Sequence, residues 1–354
     1  MNNISKYIIS NVLLLSATSM LASEAFTPIA YGTKSMGMAG VSIATLHGAE
    51  SGFENPALLS YLPKNEVSIG VAYTHPDREL KDINGTSISE DYDNTYAPYM
   101  ALSYKINKEF AMGLTLSKIK LQNVADGDEN DIRKTRVVLP FSYGVNNFSV
   151  GLSFVAEKEQ YSNSSYVNEF SSTDYGYMLG LSYKFVEQNL LVAMNYKSKI
   201  DHEFFNVDHN FNMNSASELG FGIHWKIANT NSGIGLDYKK IYSSKIYSSQ
   251  NNPLGSSYFK DQNVYALGYE YDTKEWSLRA GYKYTSFLYN ENLLTVGYPF
   301  ASKSHYTIGG SYQFSSSFSG DIALLYAPCK RTLDEGIEST ADYTTLSLGI
   351  DYSF

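Results

Sequence analysis

From Asn65 onward the chain alternates between apolar and polar residues, down to its final position. Counting back by twos from Phe354 gives Tyr352, Ile350, Leu348 and Leu346, while Ser353, Asp351, Gly349, Ser347 and Thr345 lie between them. A period of two is that of a β-strand with unlike faces. The same reading predicts strands near 65–76, 94–105, 109–121, 134–145, 147–159, 172–184, 188–199, 217–227, 231–243, 260–271, 275–286, 303–314, 317–327 and 342–354. That makes about fourteen strands, each close to the ~9–11 residues a tilted membrane strand needs. Outward faces are clearest at Tyr175, Tyr177, Leu179, Leu181 and Tyr183, at Tyr265, Leu267, Tyr269 and Tyr271, and at Tyr306, Ile308, Tyr312 and Phe314.

The connections alternate in length. Short turns fall at Asn107-Lys108, Asn146, Val186-Glu187, 228–230, 272–274 and Ser315-Ser316, and long polar loops fall at 77–93, 122–133, 160–171, 200–216, 244–259, 287–302 and 328–341. Short turns on one side and long loops on the other are the asymmetry of outer-membrane barrels. The expectation is an all-β, transmembrane antiparallel β-barrel spanning 65–354. Its aromatic end, Phe354, is read as the barrel-terminal signal through which the barrel-assembly machinery takes up the chain.

The N-terminus agrees with an exported protein. Lys6 lies in a short leading region, a mostly apolar stretch follows from Tyr7 to Met20, and small residues close it at Leu21-Ala-Ser-Glu-Ala25. The stretch is too short to cross a bilayer as a helix, so residues 1–25 read as a secretory signal peptide. Cleavage falls before Phe26 or, alternatively, after Ala22. The compartment implied is the outer membrane of a Gram-negative bacterium.

Composition narrows the chemistry. The mean hydropathy is −0.26, which excludes a helical membrane protein but not a barrel, where only alternate residues meet lipid. Tyrosine dominates the aromatics, 31 against 18 Phe and 2 Trp, as interfacial girdles require. A lone Cys329 leaves no internal disulfide and no cysteine metal cluster. The net charge of −9 has no basic patch behind it, which argues against nucleic acid.

Residues 26–64 contain no clear strand. Gly32, Gly37, Gly40, Gly48 and Gly52 permit close-packed backbone, and Val41, Ile43, Ala44, Leu58 and Leu59 are apolar enough to be buried. A free tail would be more polar, so the expectation is a folded plug in the barrel lumen, the alternative being a tail packed outside it.

Ser35-Met-Gly-Met-Ala-Gly40, followed by Val41-Ser-Ile-Ala44 and then Asn55-Pro56-Ala57, resembles the N-terminal hatch of the FadL/TodX-type outer-membrane transporters of long-chain fatty acids and hydrocarbons. Leu278-Arg-Ala-Gly-Tyr-Lys-Tyr284, Tyr298-Pro299 and His305-Tyr-Thr-Ile-Gly-Gly-Ser-Tyr312 extend the resemblance. It implies a monomer that captures a hydrophobic small molecule at its external loops, passes it into the barrel and releases it sideways into the membrane. Gly37, Gly40, Asn55, Pro56 and Ala57 would form the hatch motif. In the family the wall opens at a kink in the third strand, where Gly113 is the lateral-gate candidate; it reads equally as a small residue facing the lumen. Outer-membrane lipids and lipopolysaccharide are the surrounding partners. The chain is short for this family, so its external loops must be smaller.

Candidate polar contacts to a ligand are Arg279 and Lys283, which point inward if Trp276, Leu278, Ala280 and Tyr282 point outward. Arg279 has two readings: a bidentate carboxylate site, or a partner of Glu270 or Glu54. Lys283 reads as a ligand contact or a solvated lumen residue. The six histidines show no metal-ligand spacing, and no metal, cofactor or catalytic residue is expected. Asp126-Gly-Asp-Glu-Asn-Asp131 is dense enough for a calcium loop but lacks its spaced final Glu. It could bridge lipopolysaccharide through divalent ions or simply be solvated. The alternatives to a transporter are a general diffusion porin, a structural or adhesive barrel, and an outer-membrane lipid hydrolase. The last would need a Ser–His pair on the wall, and none can be picked out.

Overall fold

The computed structural model describes Glu24 and residues 27–81, 87–89, 94–125, 128–163, 170–206, 209–249, 259–289, 302–332 and 338–354. Of the stretch 1–25 read as a signal peptide only Glu24 is described; the rest of it, Phe26, Asp126-Gly127 and Tyr298-Pro299 lie outside the described residues. Fourteen long strands run in order: β1 (Glu66–Lys81), β2 (Thr95–Lys105), β3 (Phe110–Ala125), β4 (Asp128–Val145), β5 (Phe148–Asn163), β6 (Phe170–Phe185) and β7 (Leu190–Lys197) make one half. β8 (Glu218–Lys226), β9 (Ser232–Ile241), β10 (Gln262–Asp272), β11 (Trp276–Thr285), β12 (Ser304–Gln313), β13 (Phe318–Ala327) and β14 (Glu338–Ser353) make the other. Each pairs with its neighbours in sequence, and β14 returns to β1 from Ser353↔Glu66 to Glu338↔Lys81, which closes the barrel.

Alternation decides which side chains face where. On β14, Leu346, Leu348, Ile350 and Tyr352 are exposed while Thr345, Ser347 and Asp351 are buried. Tyr175, Leu278 and Ile308 are 76%, 56% and 61% exposed. A continuous band of such residues would be prohibitive in water and is covered by lipid in a membrane barrel. The buried face is the inside.

Four of the long loops predicted from polarity are in part paired strand. β1 and β14 stay in register from Asp77↔Asp342 to Lys81↔Glu338. β3 and β4 stay in register out to Ala125↔Asp128, and β5 and β6 pair to Tyr161↔Phe170. Ladder bonds are made by backbone and do not require an apolar face, so polar residues beyond the membrane continue the strands. Part of this stem is held by charge, with Asp131 3.3 Å from Lys120 and 3.1 Å from Arg133. The loops after β7 and β9 form a small antiparallel sheet of Glu203–Asn206, His209–Met213 and Tyr247–Ser249.

Residues 27–64 carry only short helices: α1 (Thr33–Gly37) and 3-10 turns at Gly48–Phe53 and Pro56–Tyr61. Their partners are inward-facing wall residues on widely separated strands. Thr33 bonds Tyr99 of β2 and Ser347 of β14, Ser60 bonds Ser142 of β4 and Ser149 of β5, Asn195 of β7 donates to the Glu54 carbonyl, and Ala39 donates to Thr307 of β12. The wall offers glycine where this backbone presses closest. Gly235, Gly268 and Gly281 sit on one rung of β9, β10 and β11. A Cβ at Gly281 would fall 2.4 Å from the Met38 carbonyl carbon, and one at Gly268 2.7 Å from the Met38 methyl.

Candidate transport path

The Asn55-Pro56-Ala57 motif is legible as local chemistry. Asn55 is the N-cap of the following 3-10 turn: its Oδ1 accepts from the Ala57 amide at 3.1 Å, and Pro56 sits where no amide is needed. Its Nδ2 donates to the Ile43 carbonyl at 2.8 Å, tying the two halves of the segment together. The motif lies against Gly151 and Gly180; a Cβ at Gly180 would fall 2.1 Å from Asn55 Oδ1. Gly37 approaches Gly309 and Arg279, and Gly40, at φ +79°, leaves room for Lys283 Nζ and the Ile29 carbonyl.

Charges inside the wall hold this segment. Glu24 accepts from Lys283 at 2.6 Å and from Lys239 at 3.2 Å; Glu54 pairs with Lys197 at 2.9 Å; Lys34 reaches Asp351 at 2.8 Å. Asp237 accepts the Ser42 and Ile43 amides at 2.7 and 2.9 Å. Burial would raise the Glu24 carboxyl, but Lys239 and Lys283 outweigh it and hold it down at about 2. Glu50, accepting from Tyr99 Oη and the Thr33 amide, is pushed up to about 7 by burial, with Lys34 opposing.

This changes the reading of the two candidate cations. Lys283 does not stand solvated in the lumen: it is fully buried and bonded to Glu24 and the Ile29 carbonyl. Its partner Glu24 lies within the 1–25 stretch read as a signal peptide, so the pair belongs to a chain cleaved after Ala22 and not before Phe26, a pairing no spacing rule could reveal. Arg279 donates from Nη1 to Ser311 at 2.6 Å, and its Nε lies 3.8 Å from Glu270. Both side chains are engaged with the wall and the N-terminal segment.

On the outer side of the segment, Tyr31 stacks on Phe53 at 5.3 Å and accepts from Arg136 at 3.0 Å. Above it lies a charged cluster: Arg136 with Glu157 at 2.6 Å, Lys134 with Glu159 at 2.9 Å, and His202 with Glu157 at 3.1 Å. His202 and Ser215, which also bonds Glu157, come from the loop after β7 and are drawn inside the barrel. Glu157, Glu159 and His202 offer converging donors of a kind sequence spacing missed, but Lys134 and Arg136 already occupy the carboxylates. Beyond the cluster, the outer lumen is apolar, with Ile119, Ile132, Phe204, Ile241, Phe259 and Tyr289 all buried.

The wall itself is interrupted in two places. Between β3 and β4 the ladder skips Gly113 and Leu114, opposite Pro140 and Leu139. The interruption is filled, since a Cβ at Gly113 would meet the Leu102 carbonyl at 2.5 Å, Pro140 at 3.1 Å and Leu59 at 3.2 Å. Between β2 and β3 the ladder runs from Lys105↔Ala111 to Tyr99↔Ser117 and stops, although β2 continues to Thr95 and β3 to Ala125. A cleft at this seam is lined by Pro98 and Lys118 together with Ala30, Tyr31 and Met36 of the N-terminal segment. Proline brings no amide to the ladder where it ends.

The closed fourteen-strand barrel with a lipid-facing apolar band defines an outer-membrane β-barrel protein. The chain belongs to the Gram-negative porin family, whose model matches residues 93–327, and residues 14–168 match the outer membrane protein transport protein family (OMPP1/FadL/TodX). The first match covers barrel wall alone and places the protein in the Gram-negative outer membrane, whereas the second, over less than half of the chain, takes in the N-terminal segment and shows that this part is similar to the FadL/TodX-type transport proteins. In fold it is similar to the toluene transporter TodX of Pseudomonas putida (TM-score 0.73, 16% identity, 92% of this chain and 99% of that one). It is also similar to the toluene transporter TbuX of Ralstonia pickettii (0.70, 16%, 92% and 99%) and to the monoaromatic hydrocarbon channel CymD (0.67, 19%, 92% and 98%). No curated protein matches the sequence.

Proposed function

We propose that the protein carries uncharged hydrophobic small molecules from the cell surface into the outer membrane, and that residues 26–64 plug the lumen and divert them sideways. A ligand enters through the apolar outer lumen, meets the plug at Tyr31 and Phe53, and leaves between β2 and β3 above the Tyr99–Ser117 rung. The observation that carries this is the seam, where two strands continue without pairing and plug residues stand directly behind the gap. Lateral exit suits an apolar cargo, which gains free energy in lipid and would lose it in the aqueous periplasm. A diffusion porin needs a water-filled bore, and the packed lumen does not favour it.

The seam is testable directly. In a Cys329→Ser background, Pro98→Cys and Lys118→Cys stand on facing strands one step beyond the last rung. Bridging them with a thiol-reactive cross-linker should cut uptake of a monoaromatic hydrocarbon at least tenfold, and reductive release should restore it. Uptake at the wild-type rate through the bridged protein would sink lateral exit at this seam.

A further inference from the structure

A second cavity, of about 290 Å³, opens on the side of the barrel that carries the short turns, which is the periplasmic side. It lies between Leu46 of the N-terminal segment and the ends of β6, β7 and β8, and Lys184, Leu191, His224 and Lys226 line it. It has no part in the path from the outer lumen to the β2–β3 seam.

We infer that this niche binds a small amphipathic carboxylate, a single ring or short chain bearing one acid group, from the periplasmic side. The first argument is shape. Leu46, Leu190 and Leu191 give apolar walls, and the space is about twice the ~150 Å³ cavity that holds a benzene ring, which leaves room for a ring and a short acidic arm. The second is charge. Lys184 and Lys226 form no ion pair with a carboxylate among the described residues. Lys184 instead lies over the Tyr61 ring, 3.8 Å from its centroid, and Lys105 spends its ammonium on the Ser60 and Leu62 carbonyls. No carboxylate is among the residues that line the niche; Glu270 pairs with His224 at 3.3 Å, and Glu187 is an exposed residue of the adjoining turn. Lys34, Lys134, Lys197, Lys239 and Lys283 are matched to carboxylates; here Lys184 and Lys226 line an apolar hollow that holds no carboxylate among its described lining residues. A ligand carboxylate completes the set, and its hydrocarbon end fills the hollow.

The test uses the full-length protein in non-ionic detergent, with 3-phenylpropionate and its neutral amide followed by calorimetry. The acid should bind at least tenfold more tightly than the amide. Lys184→Gln with Lys226→Gln, at half-exposed and exposed rim positions, should erase that difference. Leu46→Trp, which fills the hollow, should weaken both probes, and the cross-linked β2–β3 seam should change neither affinity. Equal binding of acid and amide, or no response to the lysine pair, would overturn the assignment. Displacement of the acid by an equal concentration of short-chain phosphatidylglycerol would overturn it in favour of a lipid headgroup.

Discussion

At the residue scale, chemistry is concentrated where the N-terminal segment meets the wall. Asn55 satisfies one amide and one carbonyl of a segment that has almost no regular structure. Asn55→Ala should cost about 1 kcal/mol for the cap and a further ~1–3 kcal/mol for the buried Ile43 carbonyl left unpaired. Hydrogen exchange at residues 55–61 should accelerate accordingly while the barrel strands stay protected. Glu50 supplies a pH dependence. Its carboxyl titrates at about 7 when buried against an ordinary 4.5, so the packed state holds the proton more firmly. That stabilisation is fully present below about pH 4.5 and is lost as pH rises through 7. Glu24, held at about 2, contributes in the opposite sense, above pH 4.5, and fails only as pH falls towards 2. Exchange of the Thr33 and Lys34 amides, corrected for its intrinsic pH dependence, should therefore be faster at pH 8 than at pH 5. Glu50→Gln should flatten that difference, and an unchanged pH response in the variant would rule Glu50 out as its source.

At the element scale, the strands were legible because their signal is local. All fourteen long strands fall where period-two alternation puts them, and the errors are at outer ends, where residues 77–81, 122–125, 128–133, 160–163 and 338–341 continue a ladder that depends on backbone alone. The inner partners were not legible. Alternation says that Arg279 and Lys283 face inward, but not that Glu24, hundreds of residues earlier in the chain, would neutralise Lys283. Nor does Gly113 stand out in the sequence from Gly180 or Gly281, each of which also marks a close approach. The useful sign of a seam was Pro98, a residue without an amide in an otherwise regular strand. The N-terminal segment carries its own prediction. If it plugs the bore, planar-bilayer recordings of the intact protein should show little conductance, and deletion of residues 27–61 should open a large, stable one. High conductance before deletion would return the protein to the diffusion porins.

At the scale of the whole molecule, the distribution of charge selects the cargo. Buried cations at Lys34, Lys134, Lys197, Lys239 and Lys283 are matched to carboxylates of the wall or the N-terminal segment. Arg279, which the sequence offered as a carboxylate clamp, is held by Ser311 and lies beside Glu270. Among the described residues, a fatty acid descending the apolar outer lumen would thus meet cations already matched to carboxylates until it reached Lys118 at the seam itself, and burying its carboxylate unpaired is costly. An uncharged hydrocarbon has no such cost. Cells that depend on this protein should accumulate a labelled monoaromatic hydrocarbon well above a deletion strain, with little difference for a long-chain fatty acid. Arg279→Gln should reduce hydrocarbon uptake only as far as it loosens the N-terminal segment, and should not act on fatty acids alone. A selective loss of fatty-acid uptake in that variant would show that Arg279 leaves its wall partners to bind a carboxylate, and would reassign the cargo.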